Sequence, residues 1–347
     1  MTNKRIVYID YLKILAMLGV VMSHSLAQGL NKDMFSFNWH VGNFFLGLVS
    51  PAVGIFFMVS GALILSSPRT YDLKYLFSHR IVRLIVPFLI WSAISITVFM
   101  YMDGNASLWF LVNKMLLLYH QMPIIAFWFL YPLIGFYLLS PILKTIVDRT
   151  DTKILDYAII LWFVTNMLLP FIAAMLPKEI GVYFKASSVS NFFMLGQSLG
   201  YFLLGYRLTL APIHKNTLHL NVIATTLLLL ITVILNFENN LYHINIPVIG
   251  YVPSVFAMLF AMEIFLTFRK IDFYHQISRL KRHYFTLLSK MSYGVYLTHG
   301  IVVEVLNRVL KIDGFFWVFL ITSVVCILFT YIVSRIPKVR FILFGMD

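Results

Sequence analysis

Ten apolar runs follow one another along the chain, at 8–29, 40–66, 83–102, 124–147, 154–176, 190–209, 218–236, 247–268, 286–309 and 315–336. Each is close to the roughly 20 residues with which an α-helix crosses the hydrocarbon core of a bilayer. In hydrocarbon every backbone N–H and C=O must find a partner within the protein, and an isolated run of this length finds them as a helix. The expected fold is all-α: a polytopic transmembrane bundle of about ten spanning helices, forming a single integral-membrane domain over 1–347 with no fused extracytoplasmic domain. Composition points the same way. Only 12% of residues are charged and 60% are apolar, against about 25% charged in a soluble domain. So few charges cannot cover a soluble surface, and so much apolar surface cannot stay disordered.

The net charge is +13. On a soluble chain that excess would suggest nucleic acid. Here its distribution argues otherwise. With the N-terminus inside, cytoplasmic segments hold nineteen Lys and Arg, from Lys4 and Arg5 to Arg335, Lys338 and Arg340. Outer segments hold six: Lys32, Lys114, Lys178, Lys185, Arg308 and Lys311. That is the bias of spanning proteins toward basic cytoplasmic loops. It predicts that both termini are cytoplasmic and that the basic residues face membrane lipid, not nucleic acid. The first run carries Lys13 and His24 and lacks a small-x-small cleavage site, so it reads as the first span and not a removed signal peptide. The single cysteine, Cys326, allows no internal disulfide, and the ten His show no HExxH spacing. No metal site is expected. Asn105-Ala106-Ser107 fits a glycosylation sequon, which has meaning only in a eukaryotic host.

Polar groups inside a bilayer are costly and mark function by default. Asp10, Lys13 and His24 share the first run. Lys13 and His24 are eleven residues apart, about three turns and about 16 Å, so they lie on one helix face. Arg80 and Arg83 are neighbours on another face, and paired guanidinium forks suit phosphates; an ordinary basic flank is the competing reading. Ser60-Gly61 allows close helix packing. Trp128 and Tyr131 sit at the outer mouth of the fourth run, as an interfacial belt or as a sugar-binding surface. In the ninth run Tyr296, His299 and Glu304 reach the depth of His24, where a carboxylate would orient an imidazole. Glu263 is a further intramembrane acid without an assignable partner.

The ordered set resembles the membrane-bound acyltransferase-3 family. Tyr8-Ile9-Asp10-Tyr11-Leu12-Lys13 is followed by His24, then by Phe56-Phe57-Met58-Val59-Ser60-Gly61. Arg80-Ile81-Val82-Arg83 with Pro87, Phe127-Trp128-Phe129-Leu130-Tyr131, Tyr201-Phe202-Leu203-Leu204-Gly205-Tyr206 and Tyr293-Gly294-Val295-Tyr296-Leu297-Thr298-His299 complete it over nearly the whole chain. The family's Arg/Lys-x10-His signature is met by Lys13 and His24, with Lys for the commoner Arg; its RxxR is met by Arg80 and Arg83. The chain is most similar to short stand-alone members of the enterobacterial-common-antigen O-acetyltransferase type.

The resemblance implies an acyl-CoA-dependent membrane O-acyltransferase, with acetyl-CoA as co-substrate and no metal. The acceptor would be a hydroxyl of a surface or lipid-linked glycan, and the location a bacterial inner membrane. His24 would act as general base or transient acyl carrier, supported by Lys13, Asp10 and Glu304. Arg80 and Arg83 would hold the phosphates of acyl-CoA, and Trp128, Tyr131, Tyr296 and His299 would meet substrate. A transporter or exporter of glycans or acylated lipids, using the same intramembrane polar groups, is the alternative. No repeat relates the two halves, which favours the enzyme over many transporter folds.

Overall fold

A computed structural model describes residues 7–26, 33–104, 107–119, 121–181, 198–214, 217–243, 246–249, 254–274 and 279–346. Lys4, Arg5, Lys32, Asn105, Lys185, Lys215 and the parts of the expected runs at 27–29, 190–197 and 250–253 lie outside the described residues. Among the described residues every regular element is helical. In chain order they are α1 (Val7–Leu26), α2 (Phe37–Val49), α3 (Ala52–Leu65), α4 (Leu73–Tyr75), α5 (Val82–Met102), α6 (Leu108–Leu116), α7 (Leu130–Arg149) and α8 (Thr152–Phe163). They continue as α9 (Leu169–Met175), α10 (Lys178–Gly181), α11 (Leu199–Leu210), α12 (Leu218–Leu241), α13 (Val255–Tyr274), α14 (Arg279–Glu304), α15 (Phe315–Ser334) and α16 (Pro337–Phe344).

Each of the ten expected runs contains helix. Seven helical stretches are long and apolar enough to cross a membrane: Val7–Leu26, Phe37–Leu65, Leu73–Met102, Ile125–Arg149, Thr152–Met175, Leu218–Leu241 and Phe315–Ser334. The protein is an integral membrane protein. The other three runs fall short for identifiable reasons. α11 has 12 described residues. α13 carries Glu263, Arg269, Lys270 and Asp272, and α14 opens on a basic stretch. The charges of α13 are tied within the fold. Asn221 of α12 donates to the Glu263 carboxylate, Lys270 donates to Asn221 and Thr217, and Arg269 donates to the Leu208, Thr209 and Ala211 carbonyls at the end of α11. Glu263 thus has a partner, Asn221, that lies 42 residues away in sequence, which periodicity does not show.

α1 is the axis of the bundle, packed against α2, α3, α13, α14 and α15. Most of its side chains are buried, whereas α12 presents Leu220, Ile223, Leu227, Leu230 and Ile234 outward. Those apolar groups meet lipid when the helix spans a bilayer. The second run is interrupted at Ser50-Pro51, where proline has no N–H to continue the ladder. α3 crosses α11 at backbone distance. A Cβ on Gly61 would collide with the Phe202 carbonyl, and one on Gly205 with the Met58 carbonyl. Such small-residue contacts drive helix association where no hydrophobic force separates helix from lipid. α6 is an additional element. At nine residues it is too short to span, and Leu108, Trp109 and Leu116 are each about three-quarters exposed. Exposed aromatic and apolar groups of this kind suit the membrane interface.

Candidate active site

A cavity of about 1110 Å³ opens between α1, α3, the segment before α5, α7, α14 and the C-terminal residues. Its charged lining is Lys13, Arg80, Arg83, Lys290, Arg335 and Arg340 against a single carboxylate, Asp10. A cleft lined by one sign of charge between low-dielectric walls concentrates the opposite charge. The apolar lining includes Phe56, Val59, Leu84, Phe129 and Leu133. The shape is therefore amphipathic: a cationic region joined to an aliphatic and aromatic one.

Arg80 lies in a π-helical turn, Leu76–Ile81, and Arg83 in the first turn of α5. Such turns are rare and recur at functional positions. The guanidinium of Arg80 donates to Thr70 Oγ1 at 2.7 Å and to Ser67 Oγ at 2.9 Å. Its carbon also lies 5.6 Å from the centre of the Tyr75 ring. Neutral hydroxyls orient the fork without cancelling its charge, leaving the remaining donors for an anion. The loop that supplies them is itself anchored. Thr70 Oγ1 donates to the Ile64 carbonyl at 2.5 Å, and Lys144 donates to the Leu65 carbonyl at 2.8 Å while pairing with Asp148 at 2.8 Å. Tyr71 donates to the other side of the same network, reaching Asp148 Oδ2 at 2.8 Å.

Asp10 accepts hydrogen bonds from two α14 hydroxyls, Ser289 at 2.7 Å and Thr286 at 3.1 Å. These bonds fasten α1 to α14. Farther along the same pair of helices, Tyr296 reaches the cavity, and its hydroxyl donates to the Ala126 carbonyl at 2.5 Å. His299 follows one turn later. It is fully buried, its ring centre is 5.6 Å from that of Tyr296, and it faces His24 at 5.1 Å. His299 Nδ1 is 2.5 Å from the Tyr296 carbonyl. A carbonyl can only accept, so Nδ1 carries the proton and Nε2 is left with a lone pair. Among the described residues Nε2 has no hydrogen-bond partner. The imidazole pair thus sits one helical turn past Tyr296, which itself lines the cavity.

The structure distributes the expected site residues as follows. Asp10, Lys13, Arg80, Arg83 and Tyr296 line one cavity, and His24 and His299 meet beyond it. Glu304 is placed elsewhere. Among the described residues no hydrogen bond or ion pair joins it to His24, and it is an electrostatic neighbour of Arg308. Five residues turn a helix by about 140° past a full circle, which moves Glu304 off the face that carries His299. Trp128 packs beside Phe129 on the core. Tyr131 donates to the Leu118 carbonyl at 2.8 Å and the Gln121 carbonyl at 3.2 Å, holding the segment after α6. Neither Trp128 nor Tyr131 lines the cavity. Lys290, Arg335 and Arg340 do; sequence reasoning counted Arg335 and Arg340 among the topological charges and gave Lys290 no role. The clue was available only for Lys290, a cation inside an apolar run.

A family model described as an acyltransferase domain, Acyl_transf_3, matches residues 6–335. No curated protein and no solved structure matches the chain.

Proposed function

The chain belongs to the Acyl_transf_3 acyltransferase family, and from that premise we propose that it is an acyl-CoA-dependent O-acyltransferase that delivers an acyl group, acetyl as the simplest case, to a glycan hydroxyl. The observation that carries this reading is the cavity itself. Its lining combines the cations Arg80 and Arg83 with aromatic groups that include Phe129 and Tyr296, and the Tyr296 ring neighbours His299 of the His24–His299 pair. A nucleotide-bearing thioester has the same order of parts: phosphates at one end, an extended arm, and the reactive carbonyl at the other.

In this proposal Arg80, Arg83 and Lys13 hold the donor phosphates on the cytoplasmic side. The arm runs past Phe129 and Tyr296 toward His24. An acceptor hydroxyl arrives from the outer side. His24 takes its proton as the oxygen attacks the thioester carbonyl; the new C–O bond forms, the C–S bond breaks, and the imidazolium returns the proton to the departing thiolate. The products are the glycan ester and free CoA. A route through an acyl-imidazole on His24 has the same balance in two steps. His299, with its proton fixed on Nδ1, offers Nε2 as an acceptor beside His24 and acts as a positioning residue. The proposed setting is a bacterial inner membrane, and the acceptor class a surface or lipid-linked glycan.

The test is to incubate the purified protein in nanodiscs with acetyl-CoA radiolabelled in the acetyl group and a panel of surface and lipid-linked glycans. Label in a base-labile glycan ester, dependent on protein, is the expected result. Stable binding of CoA by calorimetry should accompany it. Glycan movement across a sealed membrane without acyl transfer would replace this reading with a transport function.

A further inference from the structure

The cations of the cavity come from two parts of the chain. Lys13 belongs to α1, Arg80 to the π-helical turn before α5, and Arg83 to the start of α5. Lys290 belongs to α14, and Arg335 and Arg340 to the C-terminal segment. That segment is built as a rigid hook. α16 ends at Gly345, which has φ +62°, with Gly345 N donating to the Phe341 carbonyl at 2.8 Å and Met346 N to the Arg340 carbonyl at 3.3 Å. The Gly345–Phe341 bond is that of the αL cap, which closes a helix through a left-handed residue at that position. A Cβ on Gly345 would also collide with the Arg83 carbonyl. Phe344 is buried, its ring stacked 6.2 Å from that of Trp91, and Trp91 Nε1 donates to the Leu343 carbonyl at 2.9 Å. The hook is therefore held against the backbone of Arg83, and Arg340 lines the cavity that the RxxR pair also lines.

Arg340 is half-buried in this setting. Its Nε is buried and, among the described residues, has no hydrogen-bond partner; its one recorded bond reaches the Ser334 carbonyl at 3.5 Å. No acid among the described residues pairs with Lys290, Arg335 or Arg340. A buried donor left without an acceptor costs free energy, and an anion in the cavity that these cations line supplies one.

We infer that Lys290 and Arg340, with Arg335 at the rim, form a second phosphate subsite that recognises the 3′-phosphate of the donor nucleotide. This rests on the acyl-CoA reading above. The chemistry suits it. The 5′-pyrophosphate and the 3′-phosphate of CoA hang from one ribose, so two adjacent cation sets are required, one for each. A phosphomonoester carries about −1.5 to −2 near neutral pH, enough to engage two or three cations. The subsite selects CoA thioesters over otherwise equal donors that lack the 3′-phosphate.

The test uses the full chain in neutral phosphatidylcholine nanodiscs, titrated with CoA and with 3′-dephospho-CoA. The wild type should bind CoA about 10-fold or more tightly than dephospho-CoA, the value of one charge-assisted bond. Lys290→Met and Arg340→Met should each bring that ratio toward one while leaving dephospho-CoA binding within about twofold. Arg80→Met should weaken both ligands alike. Should Arg340→Met not fold, Lys290→Met, whose side chain is exposed, carries the test alone. An unchanged ratio in the variants overturns the subsite and leaves the donor reading standing; it is also the result expected if these cations serve lipid headgroups. A folded wild type that binds neither ligand overturns the donor reading and the subsite together.

Discussion

His24 of α1 and His299 of α14 face each other with ring centres 5.1 Å apart, although they come from opposite ends of the chain. The tautomer of His299 is set by the Tyr296 carbonyl, so one imidazole presents a lone pair to the surroundings of the other. Replacing His299 with Phe keeps the ring and removes the lone pair. We expect kcat to fall about tenfold or more, with the donor KM unchanged and the pH profile of kcat displaced. His299→Gln, which retains an acceptor near the Nε2 position, should recover part of the loss. A merely structural role predicts that neither the pH profile nor the Gln rescue is seen.

Arg80 is oriented by Ser67 and Thr70 but not neutralised by them. Arg80→Met should raise the donor concentration needed for half-maximal rate by about 10- to 100-fold, with kcat nearly constant. Arg80→Lys keeps the charge and loses the planar fork, so it should fall between. Steady-state kinetics over donor concentration, repeated at high salt, measures both effects. The wild-type KM should rise with ionic strength and the Arg80→Met value should rise less.

Lys144 is buried and tied to the Leu65 carbonyl and Asp148, at the start of the loop that presents Ser67 and Thr70. Lys144→Met strands a carbonyl and releases that loop. The expected outcome is a loss of about 1–3 kcal/mol in stability, together with a donor KM increase smaller than that of Arg80→Met. Thermal unfolding in detergent and the same kinetic assay report the two parts separately.

Gly61 and Gly205 let α3 and α11 touch backbone to backbone. Gly61→Ala or Gly205→Ala forces the helices apart and should cost about 1–3 kcal/mol each. The double variant should cost less than the sum, because both act on one contact. Ser60→Ala, which removes only a local bond to the Phe56 carbonyl at 2.9 Å, should leave stability within about 0.5 kcal/mol.

Much of the bundle was legible in sequence because its cause is local. A run of apolar residues must be helical in lipid whatever its neighbours are, so α1, α5, α7, α12 and α15 follow from composition alone. The face shared by Lys13 and His24 follows from helix periodicity in the same way. What lies between helices did not follow. The choice of His299 over Glu304 as the neighbour of His24 depends on how α1 and α14 are rotated against each other, which one sequence does not encode in any short pattern. Arg335 and Arg340 were hidden for a different reason: a basic residue at a cytoplasmic helix end satisfies the positive-inside rule whether or not it also binds an anion. Lys290, inside the ninth run, stood apart from that rule, but no short pattern ties it to an anion. The hook around Gly345 was missed because it needs a partner surface, the Arg83 backbone, more than 250 residues away in sequence.

The most direct test of the account compares His24→Ala with the wild type in two assays on the same nanodisc preparation: binding of CoA, and transfer of labelled acetyl to a glycan that the wild type modifies. The account predicts that the variant binds CoA with wild-type affinity, because Lys13 lies about 16 Å along α1 from His24 and His24 does not line the cavity that holds Arg80 and Arg83. It predicts that transfer falls by about 10²–10⁴, the range for loss of a general base. Transfer at the wild-type rate by the folded His24→Ala protein would contradict it.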